Sequence, residues 1–401
     1  MNREDLFIMK DGENNREYLE NNLKRRTKKL SVKDILVYNV NRIILPIGFD
    51  RRKDTIAIYG DRLGYFAKEL SAYYNILSIG TMKAISVKDG WKQNIHFMMY
   101  RKWHRKIAEG YLNHDNELID RQILEIQKMF KQNHVKFVII TDLYPVIQRA
   151  ICLAAKNEHI PVAYYEHTSI LDLKVDNAAC DFHRDIARDY PDFYWYWCKK
   201  NKNAIVERKI ATEENSTIIG YPYQIDRRPI EKRKAVLWIG EAEAHHSSRP
   251  EVCYQLVEGV YQYCKENDIE FTYRPHPKEK EQFYMPLVEQ GMKLSTLSLA
   301  EDLEGNYIAI GAKTTSVLEA GLYDDLVIQV IWDEDMIRPF EFENAYILGA
   351  DLEDITKHID MAIKGEISPK DIPEETLIIN GVIERAKSAI ENNIRQYEDR
   401  K

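Results

Sequence analysis

A rigid basic turn is the strongest chemical signal in the sequence. Arg274-Pro275-His276-Pro277-Lys278 directly follows the apolar segment 270–273, which has the composition of a strand. The two prolines remove backbone freedom around His276 and hold its imidazole in place. An imidazole can donate to a phosphate oxygen or exchange a proton, and Arg274 and Lys278 add positive charge. The pattern predicts a phosphate-binding or catalytic turn, and the alternative is a prolyl turn with an exposed histidine.

A second signal lies later in the chain, where hydroxyl groups lead into a helix. A strand ends at Ile310, and the helix is predicted to start near Ser316. Exposed backbone N–H groups and the helix dipole favour a phosphate at such a start. A capping box of Ser316 with Glu319 is the alternative interpretation. The candidate donor-binding residues here are Lys313, Thr314, Thr315, Ser316 and Glu319.

The amino-terminal half offers carboxylates at predicted strand ends, where a general base would be placed. Asp142 follows the strand 135–140, and Glu166 and His167 follow the strand 160–165. Asp61 and Arg62 lie in a turn flanked by glycines and are predicted to face the acceptor side of a cleft. The alternative for each carboxylate is a helix cap or an exposed loop position.

The loop after the strand 235–239 contains two carboxylates and the adjacent His245-His246. Neighbouring side chains point in different directions in either regular structure, and no third ligand is spaced to join them. A metal site is therefore not expected. Gly240 and Glu241 are predicted instead to line the donor site.

The strands and helices that position these residues alternate along the chain. Continuous apolar strands separated by helical segments predict mostly parallel sheets covered on both faces. Residues 90–133 carry a long helical pattern, and the polar segment 226–234 is the best linker. Two α/β domains facing one another form a cleft at the carboxyl ends of their strands. The predicted domains are a helical extension (1–50), a Rossmann-like acceptor-side domain (51–225), a Rossmann-like nucleotide-donor domain (235–375) and a terminal helix (376–401).

Composition and charge exclude several classes of protein. The 401 residues carry a net charge of −7, which argues against broad nucleic-acid binding. The five cysteines form no CxxC pair, so neither a zinc ribbon nor a redox motif is expected. No signal-peptide pattern or membrane span is found, which predicts a cytoplasmic, reduced protein. Basic clusters at 24–29 and 101–106 keep peripheral association with the inner face of the membrane as an alternative.

The two motifs resemble the carboxyl-terminal domain of GT-B fold glycosyltransferases. The likeness is to the bacterial capsule and surface-polysaccharide group, which includes sialyltransferases, polysialyltransferases and CDP-glycerol glycerophosphotransferases. It rests on the His-Pro turn at His276 and on Thr314-Thr315-Ser316. Ile219-Gly220-Tyr221-Pro222 is also similar to the Gly-x-Pro strand end common in GT-B enzymes.

The resemblance implies roles for both motifs. In those families the histidine contacts the donor phosphate and aids departure of the leaving group, a role that would fall to His276. The hydroxyls of the second motif bind the same phosphate. Inverting members take their base from an acidic-acidic-Gly motif in the amino-terminal domain, and this sequence has no such triplet in a matching place. The base stays open among Glu166, His167 and Asp142, with Asp61 ranked behind them, and no metal or other cofactor is expected.

The sequence therefore favours a glycosyltransferase. Its donor would be a nucleotide sugar of the CMP, CDP or UDP type, and its acceptor a surface polysaccharide or a lipid-linked glycan. One alternative is a CDP-glycerol-type polyol-phosphate transferase, and another is a sugar-nucleotide 2-epimerase, which needs no acceptor. The third is a degenerate module that binds a nucleotide without catalysis.

Overall fold

The chain forms two compact units. The computed structural model describes residues 6, 24, 49–60, 63–79, 90, 92–98, 101–141, 146–166, 191–223, 225, 233–240, 250–277, 279–312, 314–331, 345–373 and 377–400. The first unit holds the described residues up to 223 together with 377–400. The second unit holds residue 225 and the described residues from 233 to 373.

The first unit is built on a sheet of seven strands, all paired in parallel. The strands are β1 (Thr55–Tyr59), β2 (Asn75–Ile79), β3 (Ile95–Met98), β4 (Val135–Ile140), β5 (Val162–Tyr165), β6 (Phe193–Tyr196) and β7 (Ser216–Ile218). Their order across the sheet is β3-β2-β1-β4-β5-β6-β7. The helices whose full extent is described between them are α1 (Gly64–Leu70), α2 (Arg101–Leu112), α3 (Asn116–Gln132), α4 (Val146–Asn157) and α5 (Lys199–Glu207).

Apolar strands fill the core of this unit because both faces of the sheet are covered. Every residue of β5 and β6 is buried, including Tyr165 and Trp195. Phe137 of β4 stacks on Trp195 with ring centroids 5.6 Å apart, and Tyr165 meets Trp195 edge-on at 5.7 Å. Aromatic rings therefore bind three neighbouring strands into one layer.

The second unit repeats this design with six parallel strands. They are β8 (Arg233–Ile239), β9 (Phe271–Arg274), β10 (Lys293–Leu294), β11 (Asn306–Gly311), β12 (Leu326–Ile331) and β13 (Ala345–Gly349), in the order β10-β9-β8-β11-β12-β13. The helices are α6 (Pro250–Glu266), α7 (Glu281–Glu289), α8 (Leu299–Gly305), α9 (Thr315–Leu322) and α10 (Leu352–Lys364). Val236, Ile308 and Ile328 of the sheet share one buried cluster with Val257 of α6 and Ile355 of α10. The predicted α/β class with two Rossmann-like domains is confirmed.

The segment 90–133 differs from its predicted long helix. It contains the edge strand β3 followed by two helices, α2 and α3. The break between the helices has a left-handed residue, His114 (φ 56°), and then Asp115, whose carboxylate accepts the Leu118 N–H at 2.9 Å and caps α3. An N-terminal cap of this kind begins a new helix.

The carboxyl-terminal helix α11 (Val382–Asp399) belongs to the first unit, whereas the sequence set residues 376–401 apart. The helix and the residues just before it contact the Gly-x-Pro turn. Tyr221 donates its N–H to the Ile378 carbonyl at 2.7 Å, and Arg385 donates to the Ile219 carbonyl at 2.8 Å. Gly220 has φ +107°, and a Cβ there would lie 2.7 Å from the Ile378 oxygen. A glycine is therefore required for this contact.

Candidate functional site

The carboxyl edge of the second sheet carries the two sequence motifs after β9 and β11, the strands on either side of β8. β8 is the first strand of this sheet along the chain, and it lies between β9 and β11. Sheets of this order bind ligands where the progression reverses, which is between β8 and β11. Gly240 follows β8 and Gly311 ends β11, so both strands at this point finish in a residue without a side chain.

The His276 turn is held through its backbone. The Glu279 N–H donates to the His276 carbonyl at 2.8 Å, and the His276 N–H donates to Glu279 Oε2 at 2.9 Å. His276 itself is partly exposed. The turn therefore has a fixed main chain beside solvent, which is what the two prolines predict.

The Glu279 carboxylate is itself oriented by two tyrosines. Its Oε1 accepts from Tyr254 Oη at 2.7 Å and from Tyr273 Oη at 2.6 Å. Burial, together with the hydrogen bond to Glu279, raises the pKa of both tyrosines far above the ordinary value. Both phenols therefore stay protonated and act as donors.

Arg274 is engaged within the protein. Its Nη1 donates to Asp302 Oδ2 at 2.6 Å and to the Leu297 carbonyl at 2.8 Å, and Ser295 Oγ donates to the same Asp302 oxygen at 2.5 Å. The Asp302 side chain is 2% exposed and the Arg274 side chain 26%. This geometry places Arg274 in an ion pair that fixes the start of the turn, and its predicted contact with the donor phosphate stays a prediction.

The helix α9 begins at Thr315, one residue before the predicted start. Thr314 is the N-cap, and its hydroxyl accepts the Ser316 N–H at 3.4 Å. Ser316 therefore lies in the first turn of the helix, and the alternative capping box of Ser316 with Glu319 is not formed. Thr314, Thr315, Ser316 and Glu319 are all partly exposed.

Gln329 is a residue of this edge that the sequence does not single out. It lies in β12, paired with Gly311 of β11, and is fully buried. Its amide donates to the Ala312 carbonyl at 3.1 Å, while its Oε1 has no hydrogen-bond partner in the described part of the chain. A buried glutamine in an apolar strand is the only signal that could have pointed to it.

We expect Gly240→Ala to destabilise the second unit and to disturb the His276 turn. A Cβ at this position would lie 2.4 Å from Glu279 Oε2 and 3.0 Å from the Arg274 carbonyl oxygen. Overpacking of this kind costs typically about 1–3 kcal/mol. Urea unfolding should report the loss, and Gly349→Ala is the control, because a Cβ there meets nothing within 4 Å. Equal stabilities of the two variants would contradict this account of Gly240.

In the first unit, Glu166 ends β5 as predicted but is fully buried. Its Oε2 accepts the Trp197 N–H at 3.0 Å, and its Oε1 accepts from Asn201 Nδ2 at 2.6 Å. The Trp197 indole donates to its carbonyl at 2.7 Å. A general base must reach an acceptor hydroxyl, so this geometry gives Glu166 a structural role at the start of α5 instead of the predicted catalytic one.

The other predicted site residues lie outside the described part of the chain. They are Asp61, Arg62, Asp142, His167, Glu241, Lys278 and Lys313. Their predicted roles remain predictions. Gly60 and Thr141, which flank two of them, are described: a Cβ at Gly60 would lie 2.7 Å from Thr141 Cγ2. The ends of β1 and β4 are therefore in tight contact where the first sheet reverses its progression.

The basic cluster at 101–106 is paired with acidic side chains. Lys102 lies 3.2 Å from Glu125, and Arg105 and Lys106 each lie 2.7 Å from Glu109. These pairs match the solvated helical face that charge runs usually form, and association with a membrane stays a prediction. Within the described ranges, no helix is long and apolar enough to cross a membrane, and no three His, Cys, Asp or Glu side chains are grouped to hold a metal ion.

Comparisons with known proteins agree on the fold. Neither a protein-family model nor a curated protein sequence matches the chain. The Staphylococcus aureus protein MnaA, solved with UDP, has a TM-score of 0.58 at 11% identity, covering 86% of this chain and 97% of its own. The UDP-GlcNAc 2-epimerase of Methanocaldococcus jannaschii, solved with UDP-GlcNAc and UDP, has a TM-score of 0.54 at 12% identity, covering 84% and 99%.

A third solved structure, Anabaena Alr3699/HepE with UDP-glucose, has a TM-score of 0.51 at 9% identity and covers 86% of this chain and 98% of its own. Identities this low show a shared fold. The fold is that of GT-B-like proteins with two Rossmann-like domains, which the resemblance in the sequence implied.

Proposed function

We propose that this protein is an enzyme that binds the diphosphate of a nucleotide sugar at the carboxyl edge of the second sheet. One observation carries the proposal: the His276 turn and the Thr314-capped start of α9 end the strands β9 and β11, on either side of β8. Neighbouring strands about 4.8 Å apart put these two strand ends roughly 10 Å from each other. A diphosphate between them would receive donors from both sides.

The groups at this edge have the chemistry that a diphosphate requires. The first turn of α9 offers the Thr315 N–H and the hydroxyls of Thr315 and Ser316, and the helix dipole favours negative charge there. The His276 imidazole can donate to a phosphate oxygen. Gly240 leaves room beside β8 for the Glu279 carboxylate, which accepts the His276 N–H. Glu241, Lys278, Lys313 and Glu319 are proposed to complete the donor site.

The reaction that we propose is inversion at carbon 2 of the sugar. A UDP-GlcNAc 2-epimerase shares the fold over nearly its whole length, which supports this assignment over the transfer of a sugar. Carbon 2 has no neighbouring carbonyl to acidify its C–H bond. Loss of that proton is therefore coupled to cleavage of the bond between carbon 1 and the diphosphate, which leaves a double bond between carbons 1 and 2. A proton added to the opposite face of carbon 2 and re-addition of the diphosphate at carbon 1 then give the epimer. Donors on the phosphate promote the cleavage.

A glycosyltransferase is the second candidate, and the two motifs favour it. His276 and Thr314-Thr315-Ser316 are the residues on which the resemblance to capsule glycosyltransferases rests. Such an enzyme would use the same donors on the departing diphosphate and would also bind a glycan or lipid-linked acceptor. A CDP-glycerol-type transferase would share the site but break a bond within the diphosphate.

Proton NMR in deuterated water separates these reactions. The full-length protein is incubated with UDP-GlcNAc without any acceptor. A 2-epimerase is expected to produce UDP-ManNAc with deuterium at carbon 2, because the proton at that carbon must leave and return. Release of UDP only after addition of an acceptor glycan would instead establish a transferase. A thermal-shift series with CMP, CDP, UDP and GDP identifies the nucleotide, since a bound ligand raises Tm; no shift with any of them would contradict the proposed site.

A further inference from the structure

We infer that Glu279 is the positioning residue of His276. This inference rests on the proposed function, in which the His276 imidazole serves the bound diphosphate. Both backbone polar groups of His276 are bonded to Glu279, its N–H to Oε2 at 2.9 Å and its carbonyl to the Glu279 N–H at 2.8 Å. One residue thus fixes the whole main chain from which the imidazole projects.

The carboxylate can do this because two further elements hold it. Tyr273 from β9 and Tyr254 from α6 both donate to Oε1. The Tyr254 ring is stacked on Phe283 of α7, with centroids 4.9 Å apart and planes 3° apart. β9 and α6 therefore hold Glu279 directly, and α7 supports Tyr254. These contacts make the position of Glu279, and with it the His276 turn, rigid.

The partners of Glu279 show that the fixing is geometric rather than ionic. Its bonds within the described residues go to neutral donors, namely two phenols and one peptide N–H. A glutamine could keep all three contacts: its carbonyl oxygen accepts the His276 N–H, and the phenols rotate to accept from its NH₂ group. An alanine keeps none of them. The two substitutions therefore separate position from charge.

The test compares Glu279→Ala with Glu279→Gln in the full-length protein. We expect Glu279→Ala to lower kcat on the nucleotide sugar by about 10–100-fold with a smaller change in KM. The reason is that displacing the His276 imidazole weakens its hydrogen bond to the diphosphate more in the transition state than in the ground state. Glu279→Gln should stay within about threefold of the wild type. Tyr254→Phe should fall between the two. Its matched control is Tyr261→Phe on the same helix, whose hydroxyl bonds to the Gln290 carbonyl away from the turn.

A second readout does not depend on turnover. The His276 ring Cε1–H signal, assigned by its loss in His276→Ala, should shift and broaden in Glu279→Ala while keeping its wild-type position in Glu279→Gln and Tyr261→Phe. An unmoved signal in Glu279→Ala, or equal losses in the alanine and glutamine variants, would overturn the inference. If the wild type neither binds nor converts a nucleotide sugar, the proposed function fails, and the ring signal alone still decides whether Glu279 positions His276.

Discussion

His276→Ala is expected to lower kcat on the nucleotide-sugar substrate by about 10²–10³-fold, with a smaller rise in KM. The reason is that negative charge develops on the diphosphate as its bond to the sugar weakens. A hydrogen bond from His276 to an oxygen of the diphosphate is therefore stronger in the transition state than in the ground state. Steady-state kinetics of the folded variant, followed by NMR of the sugar, measures the effect.

His358→Ala is the matched control for this variant. His358 lies on α10 of the same unit, is partly exposed, and bonds through its ring to the Asp354 carbonyl at 2.8 Å. Its removal should leave kcat unchanged. If a folded His276→Ala protein turned over its substrate at the wild-type rate, His276 would be an ordinary loop residue between two prolines.

The turn around His276 could be predicted from the sequence because its determinants are local. Two prolines and a preceding apolar strand are visible in a few adjacent letters, and Glu279 lies only three residues beyond the histidine. The other partners are distant along the chain. Tyr254 of α6 and Asp302 of α8 reach the turn only because these two helices pack back against the end of β9. Spacing in the sequence carries no record of such contacts.

The strands were predictable where they are long and buried on both faces, as in β4 and β12. The edge strands β3 and β13 were not. β3 has only four residues and includes His96, so its sequence shows no clear strand pattern and was included in the predicted helix over 90–133. β13 alternates buried and exposed residues because only its one paired neighbour and one face shield it. Edge strands carry weaker apolar signals for this reason.

Glu166 shows why a strand-end carboxylate misleads. The position is one at which α/β enzymes place catalytic groups, and the sequence cannot tell whether the side chain turns toward the ligand or back into the fold. Here the next strand is followed by Trp197, whose backbone and indole N–H groups both bond to Glu166. Both carboxylate oxygens are therefore engaged in hydrogen bonds at the start of α5.

The second large effect is expected for the stability of the first unit in Glu166→Ala. This substitution removes the acceptors of two buried donors, the Trp197 N–H and the Asn201 amide. Buried donors without partners cost about 1–3 kcal/mol each, so we expect a total loss of about 2–6 kcal/mol. For a unit of this size the loss corresponds to a fall in Tm of about 4–24 °C, which calorimetry detects.

Glu166→Gln separates the structural role from the catalytic one that the sequence suggested. A glutamine carbonyl can still accept the Trp197 N–H, and its NH₂ group can donate to Asn201 Oδ1, which has no partner within the described residues. Stability should therefore stay within about 1 kcal/mol of the wild type. If Glu166 has only this structural role, Glu166→Gln should have the wild-type kcat. A glutamine cannot take up a proton as a general base does. A stable Glu166→Gln protein that had lost its turnover would therefore restore Glu166 as the base.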